Sequence, residues 1–165
     1  VHVLLAASEE HGDDFVNRHT QGAVISSGQE LTVDCDILVP AALQDVINIE
    51  TAHQIKAKLV VEGANLPTSP QAQEILAQRG VAVLPDFVAN AGGVVAAAFA
   101  MDARYSGFRP ETPAIFQTIS DRLRANAVTV MEEAKRRGTT THHAGRGLAE
   151  ERVRTAMHSK GRIPR

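Results

Sequence analysis

The chain has 165 residues, a formal net charge of −2 at pH 7, and 17 Lys and Arg against 19 Asp and Glu; that length builds one substantial core, and that charge balance supplies no basic stripe for nucleic acid. With 4% aromatics and no Trp, the core must be Val, Ile, Leu and Ala, a palette that suits a parallel sheet covered by helices. The single Cys35 can form neither an internal disulfide nor a thiolate zinc cluster, in keeping with a cytoplasmic protein.

In chain order, the apolar run over residues 1–7 reads as a strand. It leads into Ser8-Glu9-Glu10 rather than a small-residue cleavage site, so it is not expected to be a signal peptide. A helix is expected over 13–19, strands over 22–26 and 37–39, a helix over 51–55 and a strand over 58–61. Ser69 and Pro70 open a helix over 70–79, which Arg79 and Gly80 close. A fifth strand follows over 81–84 and a helix over 91–105. The apolar stretch 81–101 is interrupted by Pro85, Asp86, Asn90 and Gly92-Gly93, which excludes a membrane span there.

Glu111-Thr112-Pro113 starts a long helix over 113–137, whose packing face is Ile115, Ile119, Leu123, Ala127, Val130 and Ala134 and whose stop is Gly138. The clusters Lys135-Arg136-Arg137 and Lys160-Gly161-Arg162 sit near helix ends, where cations offset the helix dipole. Residues 139–143 are expected to be a loop before a last helix over 144–158. The alternation gives an α/β class, strands and helices over about 1–105 and a helical part over about 111–160.

Three segments carry chemistry. Val61-Glu62-Gly63-Ala64-Asn65 ends a strand in small residues, with an Asn whose amide donates and accepts; Asn65 and Gly63 serve either a ligand or only a strand-to-loop turn. In Pro85–Val94, two glycines inside an apolar helix cost roughly 1 kcal/mol each relative to Ala, so that first turn presses on either a ligand or another helix. In Cys35–Ala42, Pro40 stops the strand and leaves Ala41 and Ala42 facing a crevice. Ligands of open α/β sheets bind at the carboxyl ends of the strands, where all three segments fall. Glu9 stands where an acid following a strand could accept from ribose hydroxyls, favouring NAD over NADP; otherwise it is a solvated acid. No His-Glu-x-x-His pattern exists among the 7 His, and the neighbours His142 and His143 point to different sides, so no metal site is expected.

Together, "CDILVPAA", "VEGAN" and "PDFVANAGGV" resemble the motifs of the glutamate/leucine/phenylalanine/valine dehydrogenase family, and the end around Arg146 and Ala149–Val153 is similar to its closing helix. The resemblance implies an incomplete Rossmann-like, doubly wound, mostly parallel sheet followed by C-terminal helices. It implies the cofactor domain of an NAD(P)-dependent L-amino-acid dehydrogenase, an oxidoreductase releasing a 2-oxo acid and ammonia. Ala41 and Ala42 would border the cofactor, Asn65 would meet the nicotinamide ribose and Asn90 the carboxamide. The family's catalytic residues lie in a substrate domain that this sequence does not contain, which implies a fragment inactive alone and a homo-oligomer at full length. A non-catalytic scaffold or regulatory homologue is the alternative.

The family's glycine-rich pyrophosphate loop is missing, as though the chain began at the second strand and its remaining strands flanked a gap. Where glutamate enzymes usually carry a Ser for the distal carboxylate, this sequence has Ala97. With Val94 on the same helical face, an apolar pocket is expected, with an apolar or still unrecognised amino acid rather than glutamate as substrate.

Overall fold

The computed structural model describes residues 2–18, 25–26, 28–107 and 109–162. Its centre is a parallel sheet of β1 (Ile37–Leu38), β2 (Leu59–Val61) and β3 (Ala82–Leu84), in that order. Ile37 pairs with Leu59, and Leu59, Val60 and Val61 pair with Ala82, Val83 and Leu84. Parallel neighbours need crossovers rather than tight turns; here they are α3 (Ile49–Gln54) and α4 (Pro70–Gln78). The core under them is Ile47, Ala52, Ile55, Ala57, Val60, Ala72, Leu76 and Val83, all aliphatic.

Local chemistry fixes the crossover ends. Asn48 and Thr51 form a reciprocal capping box: Thr51 N donates to Asn48 Oδ1 at 3.0 Å and Asn48 N to Thr51 Oγ1 at 2.8 Å. Ser69 Oγ caps α4 by accepting from Ala72 N, with Pro70 in the first turn. Arg79, just past α4, reaches back to donate to the carbonyls of Ala52 and Ile55. One guanidinium thereby satisfies carbonyls left over at the end of α3 and ties the two crossovers together.

The helical end comprises α5 (Asp86–Ala89), α6 (Gly92–Asp102), α7 (Thr112–Arg137) and α8 (Thr141–Ser159). Gly138 ends α7 in the left-handed conformation at φ 62°, as its position after Arg137 predicts. A second packing centre, with Val88, Val130, Ala134 and Ala144 buried, forms where α5, α7 and α8 meet. A Cβ on Gly145 would lie 2.7 Å from the Phe87 ring, so only glycine lets α8 come so close. Near the end of α7, Glu133 pairs with Arg136 at 2.7 Å and with Arg137, and the Arg136 hydrogen bond leads the effects that hold its carboxyl at about 2.

The α/β class, with a parallel sheet followed by helices, matches the sequence expectation; several elements do not. Of the residues expected as a strand over 1–7, those from His2 on are helical, in α1 (His2–His11), and Val1 lies outside the described residues. Leu, Ala and Glu dominate this segment, and a helix satisfies its backbone internally where a strand needs a partner. The strand expected over 22–26 falls largely outside the described residues, and Ile25 and Ser26 have no regular structure. Three strands, not five, occur among the described residues, and they are contiguous rather than split by a gap. β1 forms an edge, with Ile37 56% exposed.

The helix expected over 13–19 divides into a 3-10 turn (Gly12–Asp14) and α2 (Phe15–Arg18), and His19 lies outside the described residues. The expected 139–143 loop is shorter, because Thr140 Oγ1 accepts from His143 N and caps α8. The single helix over 91–105 is preceded by α5, with Asn90 at the break between them, and ends at Asp102.

Candidate functional site

The exits of all three strands are stitched together at their carboxyl ends. Pro40, just past β1, is buried, and its carbonyl accepts from Gly63 N at 3.0 Å and Ala64 N at 2.8 Å. β2 therefore leaves the sheet fastened to the exit of β1. A Cβ on Gly63 would lie 3.0 Å from Ala41 Cβ; glycine here permits close approach between two strand ends, since its φ lies outside the left-handed range. The third exit joins through Asn90, whose Nδ2 donates to Asn65 Oδ1 at 2.8 Å and approaches the carbonyls of Gly63 and Ala64 at 3.4 and 3.5 Å. Among the described residues Asn90 Oδ1 accepts no bond, so an acceptor is left over at the rim.

The chain then turns sharply. Leu66 has φ 50° and Asp45 φ 56°, uncommon for residues with a Cβ and most so for a bulky one like Leu66. They are held against each other by Asp45 N donating to the Leu66 carbonyl at 2.9 Å. Strain of this kind persists only where surroundings enforce it, and it concentrates at functional sites. A groove of about 550 Å³ lies beside the turn, lined by Ala42, Leu43, Gln44, Gly63, Ala64 and Asn65.

Of the residues singled out from sequence, Ala41, Ala42, Asn65 and Asn90 are thus brought together. Others are not. Glu9 is an exposed residue of α1 rather than a strand end, and it does not line the groove. Val94 is 75% exposed and Ala97 is exposed; the cavity beside α6 is lined instead by Ala96, Phe99, Ala100 and Ala103, by Arg104 and Arg109, and by Ile115 of α7. Of the two glycines, Gly92 presses on another helix and Gly93 faces open space. A Cβ on Gly92 would meet Ile119 of α7 at 3.2 Å, whereas one on Gly93 meets nothing within 4 Å.

Beneath the rim lies a network that sequence reasoning did not find. Glu62 is 1% exposed. Its Oε2 accepts from Asp86 N at 2.9 Å and stands 2.8 Å from His142 Nε2 at the start of α8. Asp86, also buried, accepts from Leu66 N at 2.8 Å through Oδ2 and from Phe87 N at 2.7 Å through Oδ1. Donor atoms of Glu62, Asp86 and His142 lie within 4.8 Å of one another, although His142 and His143 are sequence neighbours on a helix. The one signal available was an acid, Glu62, closing the apolar strand Leu59-Val60-Val61.

The match to the Glutamate/Leucine/Phenylalanine/Valine dehydrogenase family model covers residues 1–161. The chain belongs to that family. It is 37% identical over 164 residues to a glutamate dehydrogenase of Thermotoga maritima, covering 99% of this chain and 39% of the relative. It is 39% identical over 149 residues to the NADP-specific glutamate dehydrogenase of Saccharolobus shibatae, covering 88% and 35%. Among solved structures, L-tryptophan dehydrogenase from Nostoc punctiforme superposes with a TM-score of 0.71 at 27% identity, over 87% of this chain and 41% of that one. The chain thus spans under half the length of each of these similar proteins. No helix among the described residues is long and apolar enough to cross a membrane.

Proposed function

We propose that this chain forms the nicotinamide side of the cofactor domain of an NAD(P)-dependent L-amino-acid dehydrogenase, inactive without the rest of the protein. The supporting observation is the convergence of Ala42, Asn65 and Asn90 at the carboxyl ends of three parallel strands, where α/β sheets bind ligands. The residues present fit the nicotinamide end of a dinucleotide. Small side chains at Ala41, Ala42 and Gly63 allow close approach, and Asn90 Oδ1 is left to accept from a carboxamide.

In this role Ala41 and Ala42 border the cofactor, Asn65 contacts the nicotinamide ribose, and Asn90 orients the carboxamide. When bound, the nicotinamide supplies the hydride acceptor for the substrate's α-carbon. The full-length protein is a cytoplasmic homo-oligomer, and its substrate is an apolar L-amino acid, converted to the 2-oxo acid and ammonia. Positions 94 and 97 carry Val and Ala, so α6 offers no hydroxyl or charge there for a distal carboxylate, and a site lacking such partners forfeits most discrimination in favour of one.

The test uses the full-length protein. Reduction of NAD and NADP is followed with apolar L-amino acids and with glutamate, and the cofactor Kd is measured for wild type and Asn90→Ala. Loss of a hydrogen bond worth about 1.4 kcal/mol corresponds to roughly tenfold in Kd. Apolar substrates preferred over glutamate, with that loss of affinity, are the expected outcome. An unchanged Kd in the Asn90 variant overturns the site, and a strong preference for glutamate overturns the substrate class.

A further inference from the structure

We infer that His142 is a positioning residue for the cofactor rim, acting through Glu62 and Asp86 to set where Asn65 and Asn90 stand. This rests on the assignment of those two asparagines to the nicotinamide.

The connection is continuous. With Glu62 ionised its carboxylate only accepts, and the 2.8 Å contact is then a bond that His142 Nε2–H donates to Glu62 Oε2. The same oxygen accepts from Asp86 N, and Asp86 Oδ2 accepts from Leu66 N. Glu62 directly precedes Gly63-Ala64-Asn65, Leu66 directly follows it, and Asp86 opens the short α5 whose end is Asn90. Both rim asparagines are thus anchored to one carboxylate pair, and that pair is held from 80 residues away by the first turn of α8.

Thr141 adds a second tether, its hydroxyl donating to the Val83 carbonyl at 2.7 Å. Phe87 stands edge-on to the His142 ring, with centroids 6.2 Å apart. The buried Glu62 Oε1 and His142 Nδ1 have no protein partner, so the Nε2 contact is the one by which the ring holds the acid.

An imidazole is the side chain that ordinarily changes charge between pH 5 and 8, and a charged donor makes a stronger hydrogen bond to carboxylate than a neutral one. Losing the proton leaves one neutral tautomer that still donates, without the charge. A change of charge on this ring therefore acts on the Glu62 contact and, through it, on the rim. Glu62 and Asp86 face it directly; the other charged or titratable groups lining the cavities beside it are Asp45, Glu74, His143 and Arg146 on one side and Lys135 on the other.

The test is an NMR titration of the chain without cofactor, so a failure here is separate from a failure of cofactor binding. The His142 ring, the Asp86 and Leu66 amides and the Asn90 side-chain amide are followed together. The expected result is one shared midpoint for all four. In His142→Gln the pH-dependent shift at Asp86, Leu66 and Asn90 is lost. In His142→Arg, which keeps a permanent charge and whose fold is checked by its thermal melt, those signals stay near their low-pH wild-type positions throughout. A His142 ring that titrates while Asn90 stays still overturns the proposal, as does a His142→Gln protein that melts earlier with its Asn90 signal in place.

Discussion

Gly63→Ala tests the claim that the strand exits are fitted to one another rather than loosely adjacent. The new Cβ would lie 3.0 Å from Ala41 Cβ, 3.4 Å from Ala41 Cα and 3.5 Å from the Pro40 carbonyl. Ordinary contact begins at 3.4 Å, so β1's exit must retreat by roughly 0.4 Å at a point where Pro40 O is already fastened to the Gly63 and Ala64 amides. Overpacking of this kind costs about 1–3 kcal/mol. For a chain of this size each kcal/mol lowers the melting temperature by about 2–4 °C.

Because the obstruction is a single methyl, Ala41→Gly removes it, and the double variant is expected to recover most of the loss. Urea unfolding of the four proteins closes the cycle. A coupling of at least about 0.5 kcal/mol between the two sites is required. Additivity within about 0.3 kcal/mol, or a Gly63→Ala protein as stable as wild type, would refute a close fit.

Three further outcomes are expected. Gly93→Ala, entering open space in the first turn of α6, raises stability by about 0.4–1 kcal/mol, while Gly92→Ala gains less because of Ile119 at 3.2 Å; thermal melts of the pair separate the two glycines. Arg79→Ala strips donors from the Ala52 and Ile55 carbonyls and lowers stability by about 1.5 kcal/mol, with faster amide exchange at the end of α3 as its local signature. Glu133 has its carboxyl at about 2 instead of the ordinary 4.5. Its contribution is therefore full above 4.5 and disappears as the pH falls toward 2; the melting-temperature gap between wild type and Glu133→Gln should be constant near neutrality and close on acidification across that window.

What could be read from the sequence follows the range of the interactions involved. Ser69-Pro70 and Arg137-Gly138 mark helix ends by chemistry within one turn, and both ends stand where expected. Asn48 and Thr140 cap by the same rules, so the capping box and the shortened 139–143 loop were legible in principle: an Asn or Thr three residues before a Thr or His. The segment over residues 1–7 misled because an apolar run alone does not separate strand from helix. The deciding fact is the availability of a pairing partner, which composition cannot supply. For the same reason the motifs located Ala42, Asn65 and Asn90 on strand exits, while the face presented by Val94 and Ala97 depended on where α7 packs.

The network around Glu62 marks the limit of such inference, and it also explains why an acid occupies so costly a position. A buried carboxylate without partners would be expelled or neutralised; this one closes a strand whose neighbours are fully apolar. It is retained with an imidazole from α8 and the Asp86 amide at the mouth of α5. Replacing the Glu62 and His142 side chains by hydrocarbon could preserve stability, since a buried polar pair is a weak stabiliser compared with well-packed apolar groups. Hydrocarbon could not fix direction. Hydrogen bonds to Asp86 and to Glu62 specify the orientation of two turns that lead to Asn65 and Asn90, and a rim that presents amides at set positions needs that specification more than it needs the stability.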